Sequence, residues 1–305
     1  MRIYFSLLLI IFVVLLNNNL YSQQDPYLSF YQEQLNVFNP ARVGSEGQIL
    51  SIISRNQWVS IKNAPKMQIF SLSSERGKNV GLGISIISEK YFIEKNTIAS
   101  LDFSYKLPFN SSTNLFLGIR AGGNFFSADL TGFSDGNNNS SDPAQSSISF
   151  FKPNLGIGAF LKGENYWVSL SVPRMLKNNS SEQLISPPNL IYTYFASGVK
   201  FNINDTFSIK PSLLMRNVKG YKSVADFTFL TGYKDVLDIG GSYRTNSNFS
   251  LMLLTKLKSF TLGYAYEAGI RNKNKNISLN THEVILRFQI GNKTNDVTED
   301  ESIEE

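Results

Sequence analysis

The amino-acid sequence predicts an all-β fold, namely a transmembrane antiparallel β-barrel of about 14 strands. Three observations predict it: an apolar export signal, short segments in which apolar and polar residues alternate, and connectors that are alternately long and short. No linker or repeat divides the 305 residues after the signal. We therefore predict four parts: a signal peptide (1–22), a pre-barrel segment (23–47), the barrel (48–291) and an acidic tail (292–305).

The export signal is the first element of the chain. Arg2 gives it a positive start, residues 3–16 are apolar apart from Ser6, and Ser22 precedes a cleavage site at Gln23. The stretch is shorter than the roughly 20 apolar residues of a transmembrane helix, so cleavage is favoured over a retained anchor. The chain has no cysteine, which excludes a lipidated N-terminal cysteine, a disulfide framework and thiol catalysis.

Alternation is the main signal for the barrel. In residues 100–107 one face is apolar and the other polar: Leu101, Phe103, Tyr105 and Leu107 against Ser100, Asp102, Ser104 and Lys106. A soluble β-sandwich has the same period, but its polar face meets water. Here the second face is mostly small or charged, and aromatic residues recur near the segment ends, as in the interfacial girdles of barrels. These aromatic residues are Phe92, Tyr105, Phe109, Phe125, Phe126, Phe150, Phe151, Tyr166, Tyr192, Phe201, Tyr221, Tyr233, Tyr243 and Phe249.

Counting the alternating segments gives fourteen strands, an even number as bacterial single-chain barrels require. We predict them at residues 49–60, 67–74, 79–88, 96–107, 114–126, 150–162, 166–172, 190–201, 206–216, 223–231, 236–244, 248–257, 260–267 and 282–290. If the first strand rises from the periplasm, odd connectors are extracellular, and the long ones (127–149, 173–189 and 268–281) are all odd. Pro211 lies inside a strand without a free edge, where we expect a β-bulge.

The regions that flank the barrel do not alternate. The pre-barrel segment carries turn signals at Asp25-Pro26 and Asn39-Pro40, and its aromatic residues need burial, so we predict a plug or cap inside or beneath the barrel. The tail is acidic and is predicted to be disordered. The formal charge is +5; without Arg2 and the tail, where Lys293 stands against six acidic residues, it is +9, and we expect this excess in the lumen and loops.

Five ordered blocks of sequence point to one family. They are Gln23-Gln24-Asp25-Pro26, Phe38-Asn39-Pro40-Ala41-Arg42-Val43-Gly44-Ser45, Arg55-Asn56-Gln57-Trp58-Val59, Asn63-Ala64-Pro65-Lys66-Met67-Gln68 and Asn79-Val80-Gly81-Leu82-Gly83-Ile84-Ser85-Ile86. Together they resemble the PorP/SprF family, whose members are outer-membrane barrel components of the type IX secretion system of Bacteroidetes. The resemblance is densest over residues 23–130 and continues more loosely to residue 290. Asn63 stands where the family usually has a glycine, and the acidic tail is longer than usual.

The resemblance implies a role in handling partner proteins. Family members are needed for export or cell-surface attachment of particular cargo, some of it gliding adhesins, and act with periplasmic ring components. It therefore implies secretion components and a cargo protein's C-terminal domain as partners, beside outer-membrane lipid and lipopolysaccharide. Nucleic acid is not expected, because the basic residues of this exported chain are scattered through strands. The candidate contacts are Arg271, Lys273 and Lys275 in one basic connector, with Arg55 and Trp58 near the end of the first strand; simple solvation of these residues is the alternative.

Enzymatic activity is not predicted. His282 is the single histidine, so histidine-rich metal sites and two-histidine chemistry are excluded. Gly81-Leu82-Gly83 and Gly156-Ile157-Gly158 lack the spacing of a dinucleotide site and lie in predicted strands, where glycine thins the inward face. No cofactor is indicated. The alternative function is a diffusion porin or solute-uptake channel, which the alternation supports equally well.

Overall fold

The computed structural model describes residues 27–129, 147–176, 190–245, 248–269 and 280–291. Fourteen strands form one sheet, and every predicted strand is present with bounds that differ by at most three residues. The strands are β1 Gln48–Gln57, β2 Lys66–Arg76, β3 Val80–Tyr91, β4 Glu94–Pro108, β5 Asn114–Ala128, β6 Ile148–Lys162, β7 Tyr166–Val172, β8 Tyr192–Val199 with its continuation Phe201–Asn202, β9 Phe207–Val218, β10 Val224–Tyr233, β11 Leu237–Arg244, β12 Asn248–Leu257, β13 Phe260–Gly269 and β14 Thr281–Ile290.

The sheet closes into a barrel. Each strand pairs antiparallel with its neighbours in the chain, and β14 pairs with β1 over ten residue pairs, from Gln48 opposite Ile290 to Gln57 opposite Thr281. Closure removes the free edges that would expose unpaired backbone groups to lipid. The strand ends that the long connectors 129–147, 173–191 and 270–280 join are all at one end of the barrel, which is therefore the extracellular end. The predicted fourteen-stranded antiparallel barrel is confirmed.

The two faces of the barrel differ as the alternation predicts. Outward side chains are large and apolar, and Leu101 and Ile119 remain 63% and 60% exposed. In contrast, the inward Asp102 and Ser104, in the same strand as Leu101, are buried. In a soluble sandwich the apolar side chains would be covered by a second sheet. The apolar face of this closed sheet is therefore suited to lipid. In the described part of the chain no helix is long and apolar enough to cross a bilayer.

Most of the predicted girdle residues face outward, and a few do not. Ten of them, among them Phe109 and Phe201, are exposed as interfacial aromatic residues are. Phe126 and Tyr192 are buried in the lumen, and Phe150 stacks on Phe126 with 4.8 Å between ring centroids. Tyr221 packs against the inner core as well. Sequence position near a strand end therefore identified the height of these rings correctly but not their side of the sheet.

The sheet accommodates Pro211 without the expected bulge. Ser212 pairs with Gly198 and Ile209 pairs with Phe201, so the register is the same on both sides of the proline and no extra residue is inserted. Instead, β8 is interrupted at Lys200, next to Val199, which stands opposite the proline, and the proline has no N–H to donate. The backbone N–H of Lys200 bonds to the carbonyl of Asn165 on the other side. The missing N–H of Pro211 is therefore accommodated by a short interruption of the hydrogen bonds between β8 and β9, and the register does not change.

Residues 27–47 lie against the inward face of the barrel before β1 begins at Gln48. Two short 3₁₀ turns, Leu35–Val37 and Pro40–Arg42, shape this segment, and the side chain of Asn39 caps the second by accepting the N–H of Ala41. Its apolar side chains are nearly all buried: Leu28, Phe30, Tyr31, Leu35, Val37, Phe38, Ala41 and Val43. We call residues 27–47 the inner segment.

Candidate functional site

An ionic cluster fills the lumen near its extracellular end. Six strands contribute three arginines and three carboxylates, here called the outer cluster: Arg55, Arg216, Asp226, Arg244, Glu267 and Glu283. A guanidinium nitrogen of Arg55 lies 2.8 Å from Glu283 and another lies 3.0 Å from Glu267. Arg244 contacts Asp226 at 2.5 Å and Glu267 at 3.2 Å, and Arg216 pairs with Asp226. The cluster is neutral as a whole, which offsets the cost of burying its charges.

The outer cluster holds the start of the inner segment. The backbone N–H groups of Ser29 and Phe30 each donate to a carboxylate oxygen of Glu283 at 2.9 Å. The ring of Tyr27 lies under two guanidinium groups of the cluster, with distances of 3.8 and 4.3 Å from the guanidinium carbons to the ring centroid. These cation–π contacts and charge-assisted hydrogen bonds are stronger inside a protein than in water. The start of the segment is thereby tied to several strands at once.

The middle of the inner segment bonds to polar side chains that point inward. Burial raises the pKa of Tyr31 to about 12, so its phenol stays neutral, and its oxygen lies 2.6 Å from the hydroxyl of Ser212. Arg120 pairs with Asp102 at 2.6 Å and donates to the backbone carbonyls of Asn36 and Val37. One buried arginine thus satisfies two carbonyls that would otherwise be unpaired inside the barrel.

Glycines on the barrel wall make room for the next part of the segment. A Cβ at Gly118 would lie 2.2 Å from the backbone nitrogen of Ala41, and one at Gly81 would lie 2.2 Å from the carbonyl oxygen of Val43. Both distances are too short for a side chain. The hydroxyl of Ser104 donates to the same Val43 carbonyl at 2.6 Å. The predicted role of such strand glycines, thinning the inward face, fits these close approaches.

A second set of ion pairs lies at the periplasmic end, where the segment joins β1. Arg287 contacts Glu46 at 2.8 Å and pairs with Glu33, while Arg42 contacts Glu46 at 2.5 Å. Burial acts to raise the pKa of Glu46, but Arg42, Arg287 and Lys162 outweigh it and hold that pKa well below its ordinary value. The segment is therefore fastened at both ends of the lumen.

A small cavity lies beside the inner segment. It has a volume of about 20 Å³ and lies between the segment, β1, β2 and β14, lined by residues that include Gln34, Ser51 and Ser71. A water molecule needs about 10–15 Å³ by the same kind of measure, so this cavity holds roughly one. Groups of acidic, histidine or cysteine side chains suited to a metal ion are not found in the described ranges. The described contacts are suited to holding the inner segment inside the lumen.

The predicted contact residues lie in different surroundings in the structure. Arg55 is almost completely buried in the outer cluster, so it lies inside the barrel and not on a surface open to a partner. Arg55 lies two residues after the inward Ile53, so the alternation of β1 places its side chain inside the barrel. The prediction of Arg55 as a partner contact did not take this alternation into account. Trp58 is half-buried in the connector after β1, with a φ of 48°. Arg271, Lys273 and Lys275 lie outside the described residues.

The single histidine packs among aromatic side chains. The Nδ1 atom of His282 lies 2.7 Å from the hydroxyl of Tyr264, and its ring meets that of Tyr266 edge-on with 5.4 Å between centroids. The sequence did not predict the ion-pair network, because the pairs of Arg55 that close it join strands from opposite ends of the chain. Arg55 and Glu283, for example, are 228 residues apart.

The closed ladder, the apolar outer face and the filled lumen define an outer-membrane β-barrel protein. Over residues 20–288 the chain matches the family described as "Type IX secretion system membrane protein PorP/SprF", and it belongs to that family. The predicted family and the outer-membrane location are thereby confirmed.

Solved structures show a looser similarity. Omp33 of Acinetobacter baumannii is 9% identical with a TM-score of 0.46, and the match covers 81% of this chain and 100% of that one. The CymD monoaromatic hydrocarbon channel is 11% identical with a TM-score of 0.48, covering 85% and 93%. The toluene transporter TodX of P. putida is 10% identical with a TM-score of 0.45, covering 83% and 93%. A search of curated proteins found no match.

Proposed function

We propose that this chain is a non-enzymatic accessory barrel of the type IX secretion system that binds a secreted cargo protein and anchors it at the cell surface. The cargo's C-terminal domain is the proposed contact, and a gliding-motility adhesin is one such cargo. The observation that carries the proposal is the filled lumen: residues 27–47 occupy the space through which a porin passes solutes. Family membership supplies the secretion context.

A filled lumen favours anchoring over passage of the cargo through this barrel. Opening a path would separate the start of the inner segment from Glu283, its middle from Arg120 and its end from Arg287. The separation at Arg287 breaks a buried ion pair, which costs about 3–5 kcal/mol. At Glu283 and Arg120 the ion pairs lie within the wall, so opening there breaks hydrogen bonds to a charged group, each of which contributes about 1.5–3 kcal/mol. A diffusion porin or solute-uptake channel, the alternative that the sequence left open, would have to meet these costs for every opening.

The proposed contact surface is the extracellular end, where exposed connectors on a rigid barrel are suited to binding. Trp58 and the basic residues Arg271, Lys273 and Lys275 are the proposed contacts there. Arg55 is proposed instead to hold the inner segment, because its charge is already paired with two buried carboxylates. Periplasmic secretion components are the proposed partners at the other end.

Deleting the gene and comparing surface proteins tests the proposal. We expect one or a few surface proteins that carry a C-terminal sorting domain to be lost, with unchanged permeability to small solutes. Complementation with the triple variant Arg271→Ser/Lys273→Ser/Lys275→Ser should restore them poorly, while Lys219→Ser, on a neighbouring extracellular connector, should restore them fully. An unchanged surface proteome together with altered solute uptake would show a porin instead.

A further inference from the structure

We propose that the outward face of β2–β5, at the extracellular rim, binds the phosphate groups of a phosphorylated outer-leaflet glycolipid such as lipid A. The site is built on three lysines, here called the lysine row: Lys66, Lys90 and Lys95. This inference depends on the outer-membrane location of the barrel and not on the proposed cargo.

The lysine row is set by the strand register. Lys66 of β2 pairs with Lys90 of β3, and Lys90 pairs with Lys95 of β4, so the three lysines stand side by side on adjacent strands. All three are exposed and have the parity of the outward apolar residues Phe70 and Ile86. Neighbouring strands are about 4.8 Å apart, so the row spans roughly 10 Å, within reach of one phosphorylated headgroup.

The charges of the row call for an anionic ligand. Like charges directly opposite each other on paired strands destabilise a sheet. Within the described ranges none of the three lysines has an ion pair, in contrast to Lys200 and Lys210 at the periplasmic end. The row lines an open cleft of about 530 Å³ whose lining includes one acidic residue, Asp129. Three ammonium groups facing one carboxylate leave an excess of positive charge on this face.

The surroundings of the row favour a lipid over a free anion. One step down each strand, about 7 Å closer to the membrane, the outward residues are the polar Gln68, Ser88 and Thr97. The next outward residues are apolar and continue into the lipid-facing band. Beside them the exposed rings of Phe125 and Phe151 pack at 4.6 Å between centroids. Charge above and apolar surface below match a molecule with a phosphorylated head and acyl chains.

Native mass spectrometry of the full-length mature protein in neutral detergent tests the site. Purified diphosphoryl lipid A, monophosphoryl lipid A and the dephosphorylated glycolipid are the probes, each with and without excess inorganic phosphate. We expect wild-type affinity to fall with each phosphate removed. The variant Lys66→Gln/Lys90→Gln/Lys95→Gln should bind diphosphoryl lipid A about 100-fold more weakly, because each basic residue near an anionic lipid surface raises the affinity about fivefold.

The matched control removes the same charge from the opposite end. Lys78, Lys234 and Lys258 are exposed lysines in periplasmic turns, and their replacement by Gln should leave lipid A binding unchanged. A heat-dependent gel mobility shift establishes that each variant is folded, and Lys90→Glu alone, at the centre of the row, serves if the triple variant fails this check. Equal binding by wild type and row variants overturns the proposal. Full displacement of lipid A by inorganic phosphate overturns it too, because the site would then take any phosphate.

Discussion

Replacing one carboxylate should loosen the inner segment from the barrel. Glu283 accepts the N–H groups of Ser29 and Phe30 at 2.9 Å each and pairs with Arg55 at 2.8 Å, all without contact to solvent. Glu283→Gln keeps the shape of the side chain but removes its charge and one acceptor oxygen. One N–H of the segment then faces an amide N–H₂ group and is left unsatisfied.

The size of the effect follows from these contacts. An unsatisfied buried N–H costs about 1–3 kcal/mol, and removing one partner of a buried ion pair costs about 3–5 kcal/mol. In the variant Arg55 still pairs with Glu267 at 3.0 Å, so losing the Arg55–Glu283 pair should cost an energy near the lower limit of this range of about 3–5 kcal/mol. Part of the total weakens the barrel wall rather than the segment. We therefore expect the docked segment to lose about 3 kcal/mol, an increase of about 150-fold in the undocked population.

Single-channel recording in planar lipid bilayers measures this population as open events. Wild-type protein should be almost silent, and Glu283→Gln should open about two orders of magnitude more often. Glu164→Gln, at an exposed periplasmic turn, is the matched control and should behave as wild type. Adding Arg55→Met to Glu283→Gln should reduce the opening again, because the uncompensated charge is gone. If folded Glu283→Gln is as silent as wild type, the inner segment does not depend on this carboxylate and the reasoning is wrong.

Three further predictions concern the inner segment and the orientation of the barrel. Gly118→Val should displace the segment and raise protease cleavage within residues 27–47, since even a Cβ there would lie 2.2 Å from the segment's backbone. Gly269→Val should not, because a Cβ at Gly269 would meet no atom closer than 3.6 Å. The pKa of Glu46 is lowered in the folded protein, so the stabilisation it gives is complete above the ordinary carboxyl pKa and is lost as the pH falls towards the pKa of the folded state. Channel openings should therefore increase on acidification below about pH 4, and Glu46→Gln should make them less dependent on pH. Because the chain has no cysteine, Val59→Cys should react with a membrane-impermeant maleimide on intact cells and Ser111→Cys only after lysis; the reverse result would invert the barrel.

The strands were predictable because their signal is local. A period of two shows which residues share a face of a strand. A sufficient and even number of such strands is enough to predict a closed barrel. Arg55 illustrates the limit of this signal. Its parity with the buried Ser51 and Ile53 places it inside, yet only the closing pair β1–β14 shows that it stands directly opposite Glu283. That register is a property of the closed barrel and not of either strand.

The inner segment was harder to predict than the barrel for the same reason. Its aromatic residues indicated burial, but its path depends on inward groups scattered over the wall, such as Ser71, Ser104 and Ser171. Small residues at those positions are explained equally well by an empty lumen. The sequence therefore indicated that residues 27–47 pack somewhere, while only the assembled wall determines where.

The distribution of charge connects the filled lumen with the lysine row. Residues 23–291 carry a formal charge of +9, and the sequence suggested that the lumen holds part of this excess. The fully buried charged side chains of the described residues are four arginines and five carboxylates, which sum to −1, and the partly buried Arg42, Arg287, Lys210 and Lys256 are paired with carboxylates. A filled, poorly hydrated lumen cannot keep unpaired charge, because each unpaired ion there costs several kcal/mol. The positive excess must therefore lie on surfaces that water or headgroups reach. Closing the lumen and exposing lysines to anionic lipid are thus two consequences of one electrostatic constraint.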